Sequence, residues 1–165
     1  VGSGDPENCE AQAARRYWKP LMGPAFKRDV KAEGVNSLLN YGYAVLRAAT
    51  ARAVAASGLH PALSLHHHNQ ANPFGLVDDL MEPFRPCVDQ VVRKLKDEGL
   101  EEVIPDTKRQ LAAVLDMDLK TERGTTPLSN TLFHMAQSLV TSYETRKDCL
   151  ILPEATKGWP GNEDS

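Results

Sequence analysis

Three consecutive histidines lie near the middle of the chain, at positions 66–68, and a group of carboxylates follows them. Glu82 comes fifteen residues after His67, with Asp78 and Asp79 just before it. Because Glu82 is four residues from Asp78 and three from Asp79, either pair would share one face of a helix. A neutral imidazole with carboxylates on a converging element is a donor set for Mn²⁺ or Mg²⁺, and the nitrogen ligand favours Mn²⁺.

This spacing alone leaves other interpretations open. A histidine triplet in a loop is often only polar surface, or it binds Ni²⁺ or Zn²⁺ adventitiously. Asp78 and Asp79 also suit the cap of a helix that begins there. A third carboxylate is harder to choose, because the first helix offers both Glu7 and Glu10. Alanines at positions 11, 13 and 14 would press Glu10 against other helices, where a carboxylate needs a partner. The residues alone nevertheless favour a glutamate that interacts only with the helix dipole.

The elements that position these residues are predicted to be helices. The clearest spans residues 36–57, where apolar residues recur near helical spacing and alanine is dense, so neighbouring helices can approach closely. Gly58 ends this helix in the C-terminal role that glycine commonly has. A loop is predicted over residues 61–74, and further helices over residues 8–18, 75–96, 106–116 and 127–143.

Prolines divide these helices. Pro83 and Pro86 lie inside the segment 75–96 and imply either a kink or two abutting helices. Pro20 is expected to end the first helix. The fold class that follows is all-α, a compact helical bundle of five or more helices. We expect residues 1–155 to form one helical domain and residues 156–165 to be a flexible C-terminal tail.

Composition excludes some classes of protein. Of 165 residues, 41% are hydrophobic and 25% charged, which is ordinary for a globular domain. No apolar run approaches the ~18 residues of a membrane span, and no signal peptide pattern is visible, so no membrane is expected among the partners. Three widely spaced cysteines without a CxxC motif argue against a disulfide framework and favour a cytoplasmic location. The chain opens with Val1 rather than Met, which we interpret as a cut within a longer protein.

The net charge of −3 neither demands nor excludes DNA, because nucleic-acid binding needs only a local basic stripe. Such a stripe is a possible interpretation of the N-terminal sector, although charge alone favours a solvated helix face. The basic residues of this sector are Arg15, Arg16, Lys19, Lys27, Arg28 and Lys31.

Four blocks of sequence, in order and at matching spacing, resemble the catalytic domain of CRISPR-associated adaptation integrases. The blocks are residues 4–11 (GDPENCEA) with Ala14, Tyr17 and Trp18, residues 38–46 (LLNYGYAVL), residues 58–63 (GLHPAL) leading into His66 and His67, and residues 78–86 (DDLMEPFRP). Asn69, Gln70 and Asn72 after the histidines are similar to the type II branch of that family.

The resemblance implies a metal triad of Glu10, His67 and Glu82 that holds Mn²⁺ or Mg²⁺, with Asp79 in support. The implied activity is that of a metal-dependent DNA endonuclease and integrase. It would insert foreign DNA fragments into a CRISPR array by attack of a 3′-hydroxyl on a phosphodiester. Contacts to DNA phosphates would come from Arg15, Arg16, Asn69 and Arg85.

The family similarity also implies partners and marks departures. DNA, a homodimer of the full-length protein and a small CRISPR adaptation partner protein are expected. The N-terminal β-rich domain that the family carries is expected to be missing here, and the isolated chain is therefore expected to fail to integrate a DNA fragment at a repeat. Ser64 stands where the family often has glycine, and His68 where type II members usually have Arg or Lys, which removes one positive charge.

Two alternatives stay open. The chain would be a helical assembly module with a vestigial ion site if its alanine-rich helix served mainly to pack against partner subunits. It would be a related transposon integrase if the same triad acted outside a CRISPR system. Retention of ligating side chains at Glu10, His67 and Glu82 argues against the assembly module.

Overall fold

The computed structural model describes residues 9–63, 65 and 72–154, without the side chains of residues 9–11 and 13. The described residues form six α-helices, two short 3-10 helices and a two-stranded antiparallel hairpin. In chain order these are α1 (Cys9–Met22), α2 (Val35–Ala56), α3 (Gly75–Met81), a 3-10 turn (Glu82–Phe84), α4 (Arg85–Asp97), α5 (Pro105–Ala112), a second 3-10 turn (Ala113–Asp116), β1 (Asp118–Thr121), β2 (Gly124–Pro127) and α6 (Leu128–Thr145). None of the described helices combines the length and apolar character that a membrane crossing requires. The all-α prediction is confirmed, since the only strands among the described residues are four residues long.

The centre of the bundle is α2, which packs against α3, α4, α5 and α6. Its leucines at positions 38, 39 and 46 are fully buried, and so is Val54. Alanines fill other inward positions and allow the neighbouring helices to lie close. The helix ends at Ala56, and Gly58 adopts a left-handed backbone with φ 75°, as the sequence predicted.

The segment 75–97 is divided at its prolines. Helix α3 ends at Met81, the 3-10 turn covers Glu82–Phe84, and α4 begins at Arg85. A proline at position 86 cannot donate a backbone hydrogen bond, and its ring would clash with the carbonyl four residues earlier in a continuous α-helix. The segment therefore forms two abutting helices, and Glu82 and Arg85 lie at the corner between them.

Two elements differ from the prediction. Helix α1 continues through Pro20 to Met22, because its last turn is held from outside by Arg93, whose guanidinium donates to the carbonyl of Leu21. The hairpin of β1 and β2 was not predicted at all. Its strands bury Leu119 and Thr121 on one face, and Asp118 pairs with Pro127 at the base of α6.

Gly42 lies where α2 approaches α4 and α5 most closely. A Cβ at this position would overlap Cγ1 of Val88 and lie 3.3 Å from Cδ2 of Leu111. Both neighbours are fully buried, so neither side chain has open space to move into.

We therefore expect Gly42→Ala to lower the free energy of unfolding by about 1–2 kcal/mol, because overpacking outweighs the better helix propensity of alanine. Chemical denaturation measures this. Ala48→Ser on the exposed face of α2 is the control and should change stability by less than about 0.5 kcal/mol. Val88→Ala should cost less in the Gly42→Ala background than in wild type. Equal costs in both backgrounds would contradict the proposed overlap.

Candidate functional site

A cleft of about 650 Å³ lies between α2, α3 and the corner at the start of α4. Three arginines line it from three different elements. Arg28 belongs to the loop between α1 and α2, Arg47 to α2, and Arg85 to the first turn of α4. Glu82 also lines the cleft. The arrangement places a carboxylate beside a concentration of guanidinium groups.

Glu82 is the first residue of the 3-10 turn, and its side chain is half exposed. Its Oε1 lies 3.0 Å from a terminal nitrogen of Arg85. The Arg85 guanidinium also lies 5.1 Å from the ring centroid of Tyr43, a distance suited to a cation–π contact. The Nε of Arg85 is buried and has no hydrogen-bond acceptor among the described residues, so this side chain retains an unused donor.

Arg47 and Asp78 form a two-pronged ion pair across the cleft. The Nε and one terminal nitrogen of Arg47 lie 2.6 Å and 3.0 Å from the two carboxylate oxygens of Asp78. Asn72 donates to the same carboxylate at 2.8 Å. Partial burial works to raise the pKa of Asp78, but the hydrogen bonds from Arg47 and Asn72 prevail and hold it below its usual value. Asp78 therefore pairs with Arg47. It is not the N-cap of α3, because that helix begins at Gly75.

Asp79 has a different connection. Its carboxylate accepts a hydrogen bond of 2.7 Å from the backbone N–H of Leu65. This contact ties the segment that precedes the histidine triplet to α3. This bond distinguishes Asp79 from Asp78, which pairs with Arg47, and the supporting role of Asp79 stays a prediction.

Arg28 is held by amides instead of carboxylates. Its two terminal nitrogens donate to the side-chain oxygens of Asn36 at 3.0 Å and Asn40 at 2.6 Å. No carboxylate of the described residues forms an ion pair with it. The amide dipoles help to orient the guanidinium without neutralising its charge, and the carboxylates of Asp89 and Asp29 act on that charge without a direct ion pair.

Behind the cleft, a buried carboxylate joins three helices. Asp89 on α4 is 1% exposed. The hydroxyl of Tyr17 on α1 donates to its Oδ2 at 2.5 Å, and the hydroxyl of Tyr43 on α2 donates to its Oδ1. Both oxygens of a carboxylate in the core are therefore satisfied, as a buried charge requires.

Burial raises the pKa of Asp89 to about 6, although the two hydroxyl donors and the charges of Arg85 and Arg28 act to lower it. Burial and the Asp89 charge raise the pKa values of Tyr17 and Tyr43 well above their usual range, so both stay neutral donors. Neighbouring Cys87 is a neutral thiol, since burial raises its pKa to about 11.

Helices α1 and α4 are joined by side-chain hydrogen bonds at two levels. Tyr17 contacts Asp89, and Leu21 contacts Arg93, each pair separated by 72 residues. Both of these contacts lie on α4, which begins at Arg85, whereas Glu82 belongs to the 3-10 turn before it.

The predicted metal triad is described only in part. Glu82 lies at the cleft, the side chain of Glu10 is not described, and His67 lies outside the described residues. Within the described part of the chain, no three His, Cys, Asp or Glu side chains converge in a way that would hold a metal ion. That statement does not extend to Glu10 and His67, so the triad stays a prediction.

The predicted phosphate contacts fall in different places. Arg85 lines the cleft, whereas Arg15 and Arg16 are exposed on α1, and Asn69 lies outside the described residues. Sequence reasoning missed the cleft positions of Arg28 and Arg47. It also missed Asp89, although a signal was present, since this carboxylate occupies the apolar face of α4 that carries Val88, Val92 and Leu95.

The raised pKa of Asp89 predicts a specific pH dependence of stability. Between the ordinary aspartate pKa near 3.8 and a value of about 6, the folded chain holds a proton at Asp89 that the unfolded chain has lost. The free energy of unfolding should therefore fall as pH rises through this window, by roughly 1–3 kcal/mol from this group. Asp89→Asn lacks the titration. Denaturation of both proteins at pH 4 and pH 7 should show wild type losing stability relative to the variant, and the opposite sign would refute the assignment.

With the geometry established, comparison with known proteins locates the chain in a family. The family model for CRISPR associated protein Cas1 matches residues 7–103. The CRISPR-associated endonuclease Cas1 of Neisseria meningitidis serogroup C (strain 8013) is 45% identical over 125 residues, covering 74% of this chain and 41% of that protein. A second relative, CRISPR-associated endonuclease Cas1 2 of Pyrobaculum aerophilum, is 34% identical over 138 residues, covering 79% of this chain and 46% of that protein.

A solved structure described as casposase bound to integration product shares the fold. Its TM-score is 0.68 at 24% sequence identity, and the match covers 94% of this chain and 52% of that one. The chain thus spans less than half the length of these two relatives and about half of the casposase. The family match covers more than half of the chain and includes α2, the cleft and Glu82. This protein belongs to the CRISPR associated protein Cas1 family.

Proposed function

We propose that this chain is the catalytic part of a DNA endonuclease and integrase that inserts foreign DNA fragments into a CRISPR array. The observation that carries the proposal is the place of Glu82, which lines a cleft together with Arg28, Arg47 and Arg85. Relatives named as endonucleases and a fold shared with a casposase support the same class of activity. In the reaction, a 3′-hydroxyl of the incoming fragment attacks a phosphodiester of the repeat, and one P–O bond replaces another.

The residues fit a divalent cation. Glu10, His67 and Glu82 would together supply two carboxylates and one imidazole, the donor set of Mn²⁺ or Mg²⁺. Asp78 is excluded from this set by its ion pair with Arg47. When bound, such an ion polarises the scissile phosphate and stabilises the charge that develops on its oxygens. Asp79 would support the site through the segment that leads to His67.

The arginines of the cleft are suited to hold the DNA backbone. Arg28 has no direct ion pair among the described residues, and the side chain of Arg85 is 40% exposed. Guanidinium groups match phosphate geometry with two parallel donors, and such contacts fix the register of a nucleic acid without reading its sequence. Exposed Arg15 and Arg16 on α1 and Asn69 after the histidines would extend these contacts along the strand.

The whole protein is proposed to act in an assembly. The family resemblance of the type II branch implies a homodimer of the full-length protein and a small CRISPR adaptation partner protein, both of which would set the spacing of two active sites. Because this chain spans less than half the length of its named relatives, these partners are assigned to the longer protein, and nicking of DNA is the activity to test on the chain itself.

Removal of the Glu82 carboxylate tests the proposed activity. We expect Glu82→Gln to lower the Mn²⁺-dependent nicking rate of supercoiled plasmid by at least about 100-fold, since one proposed ligand is lost. Asp106→Asn, which changes an exposed carboxylate on α5, is the control and should nick at the wild-type rate. Nicking that persists in Glu82→Gln would place the chemistry elsewhere and favour the assembly-module alternative.

The charge of Arg28 tests the DNA path. We expect Arg28→Gln to weaken binding of a short duplex and to lower the slope of log affinity against log salt by about 0.9, the change for one lost phosphate contact. Fluorescence anisotropy at several salt concentrations measures both. Arg109→Gln removes an exposed arginine on α5 that does not line the cleft and serves as the control. An unchanged salt slope in Arg28→Gln would remove this cleft from the DNA path.

A further inference from the structure

The carboxylate of Asp89 lies behind the arginine-lined cleft, on the far side of one tyrosine. The hydroxyl of Tyr43 donates to Asp89 Oδ1, and Tyr43 itself lines the cleft. The guanidinium groups of Arg28 and Arg85 lie 5.7 Å and 5.1 Å from the centroid of the Tyr43 ring. A single side chain therefore separates the buried carboxylate from two of the three arginines that line the cleft.

The carboxylate and the two arginines act on each other at this separation. Burial raises the pKa of Asp89 to about 6, and the charges of Arg85 and Arg28 act to lower it. Burial lowers the pKa of Arg28, and the charge of Asp89 opposes that fall. Asp89 is therefore ionised at pH 7.5. The titratable and charged groups around it, among the described residues, come from α1, the loop after α1, α2 and α4: Tyr17, Arg28, Tyr43, Arg85 and Cys87.

The charge balance of the cleft gives this carboxylate its importance. Among the described residues, three arginines and two carboxylates line the cleft, which is a formal net charge of +1. The ionised Asp89 behind Tyr43 offsets that remaining charge. Mobile ions screen a charge in the core far less than an exposed one, so the effect of Asp89 on the cleft persists at physiological salt.

We propose that Asp89 is a buried counter-charge that sets the affinity of the cleft for the phosphate backbone of DNA, so that loss of its charge strengthens binding. The inference rests on the proposed function, because it takes DNA as the occupant of the cleft. The ionised carboxylate attracts the guanidinium groups of Arg28 and Arg85 and repels an incoming phosphate. Without that charge, both arginines act on the phosphate alone. Asp89 is 1% exposed, so it acts on DNA without touching it.

Asp89→Asn in the 165-residue chain tests the counter-charge. The amide keeps an oxygen that accepts from one tyrosine hydroxyl and gains an N–H that donates to the other, while the charge is lost. We expect the affinity for a short DNA duplex, measured by fluorescence anisotropy at pH 7.5 without divalent metal, to rise about threefold or more, the effect of one partly screened charge. The slope of log affinity against log salt should stay unchanged, because no phosphate contact is gained or lost.

A matched control separates the position of the charge from the net charge of the chain. Asp97 lies on α4 about two turns beyond Asp89, and its exposed carboxylate pairs with Arg93. Asp97→Asn changes the net charge by the same amount, but solvent and salt screen an exposed charge, so duplex affinity should change by less than about 1.5-fold. An equal gain in Asp97→Asn would show that net charge alone is responsible and overturn the proposal.

A measurement on the wild-type chain decides the question if Asp89→Asn does not fold. Coupling between two sites is reciprocal, so if neutral Asp89 gives about threefold tighter DNA binding, bound DNA should raise the pKa of Asp89 by about 0.5. The side-chain carboxyl carbon resonance of Asp89, followed by NMR against pH with and without the duplex, measures this change. A pKa that DNA leaves unchanged overturns the counter-charge role.

The outcomes distinguish this role from the proposed function. If Arg28→Gln weakens duplex binding while Asp89→Asn leaves it unchanged, the cleft binds DNA and the counter-charge role is overturned. Weaker binding in Asp89→Asn also overturns that role, because a purely structural junction predicts a loss where a counter-charge predicts a gain. If neither substitution alters duplex binding, the cleft is not the path of the DNA, and the counter-charge role fails together with that part of the proposed function.

Discussion

The carboxylate of Asp89 is the interaction that joins α1, α2 and α4 behind the candidate site. It is buried, both of its oxygens accept tyrosine hydroxyls, and its donors come from α1 and α2 while it belongs to α4. A charge in this position needs both hydroxyl donors, because a missing donor leaves part of a buried carboxylate unpaired. The three helices therefore meet at this one carboxylate. Since Tyr43 also lies near Arg28 and Arg85, the same junction forms the floor beneath the cationic side chains of the cleft.

The corner between α3 and α4 complements that junction. Prolines at positions 83 and 86 prevent a continuous helix, and the 3-10 turn between them brings Glu82 and Arg85 to the cleft. In an unbroken helix, Glu82 would continue the face set by α3. The helix break and the buried carboxylate thus lie at the two ends of one short segment, which runs from Glu82 to Asp89.

Local sequence pattern predicted the helices, whereas contacts between distant residues had to be seen in the structure. The helix over residues 36–57, its end at Gly58 and the proline break were all predicted, because each follows from nearby residues. The hairpin was missed because four-residue strands give too short an alternation to detect. The continuation of α1 past Pro20 depends on Arg93, and the Arg47–Asp78 pair joins residues 31 positions apart. In the site, Glu82 and Arg85 line the cleft, while the metal and DNA roles that the resemblance implied for them, and for Glu10 and His67, remain predictions.

The three arginines of the cleft differ in how firmly their charges are engaged, and this difference gives them separate parts in the proposed function. Arg47 is fixed, because Asp78 binds it at two points and also accepts from Asn72. Arg85 has one contact to a half-exposed Glu82, and a pair of this kind contributes little to stability. If Glu82 turns to a metal ion, Arg85 loses its counter-charge beside the incoming phosphate. Arg28 has no ion pair among the described residues, and the amides of Asn36 and Asn40 and the ring of Tyr43 orient it. Ion binding and DNA binding at this cleft would therefore reinforce each other through electrostatics. The Arg47–Asp78 ion pair would keep its geometry at the side of the cleft.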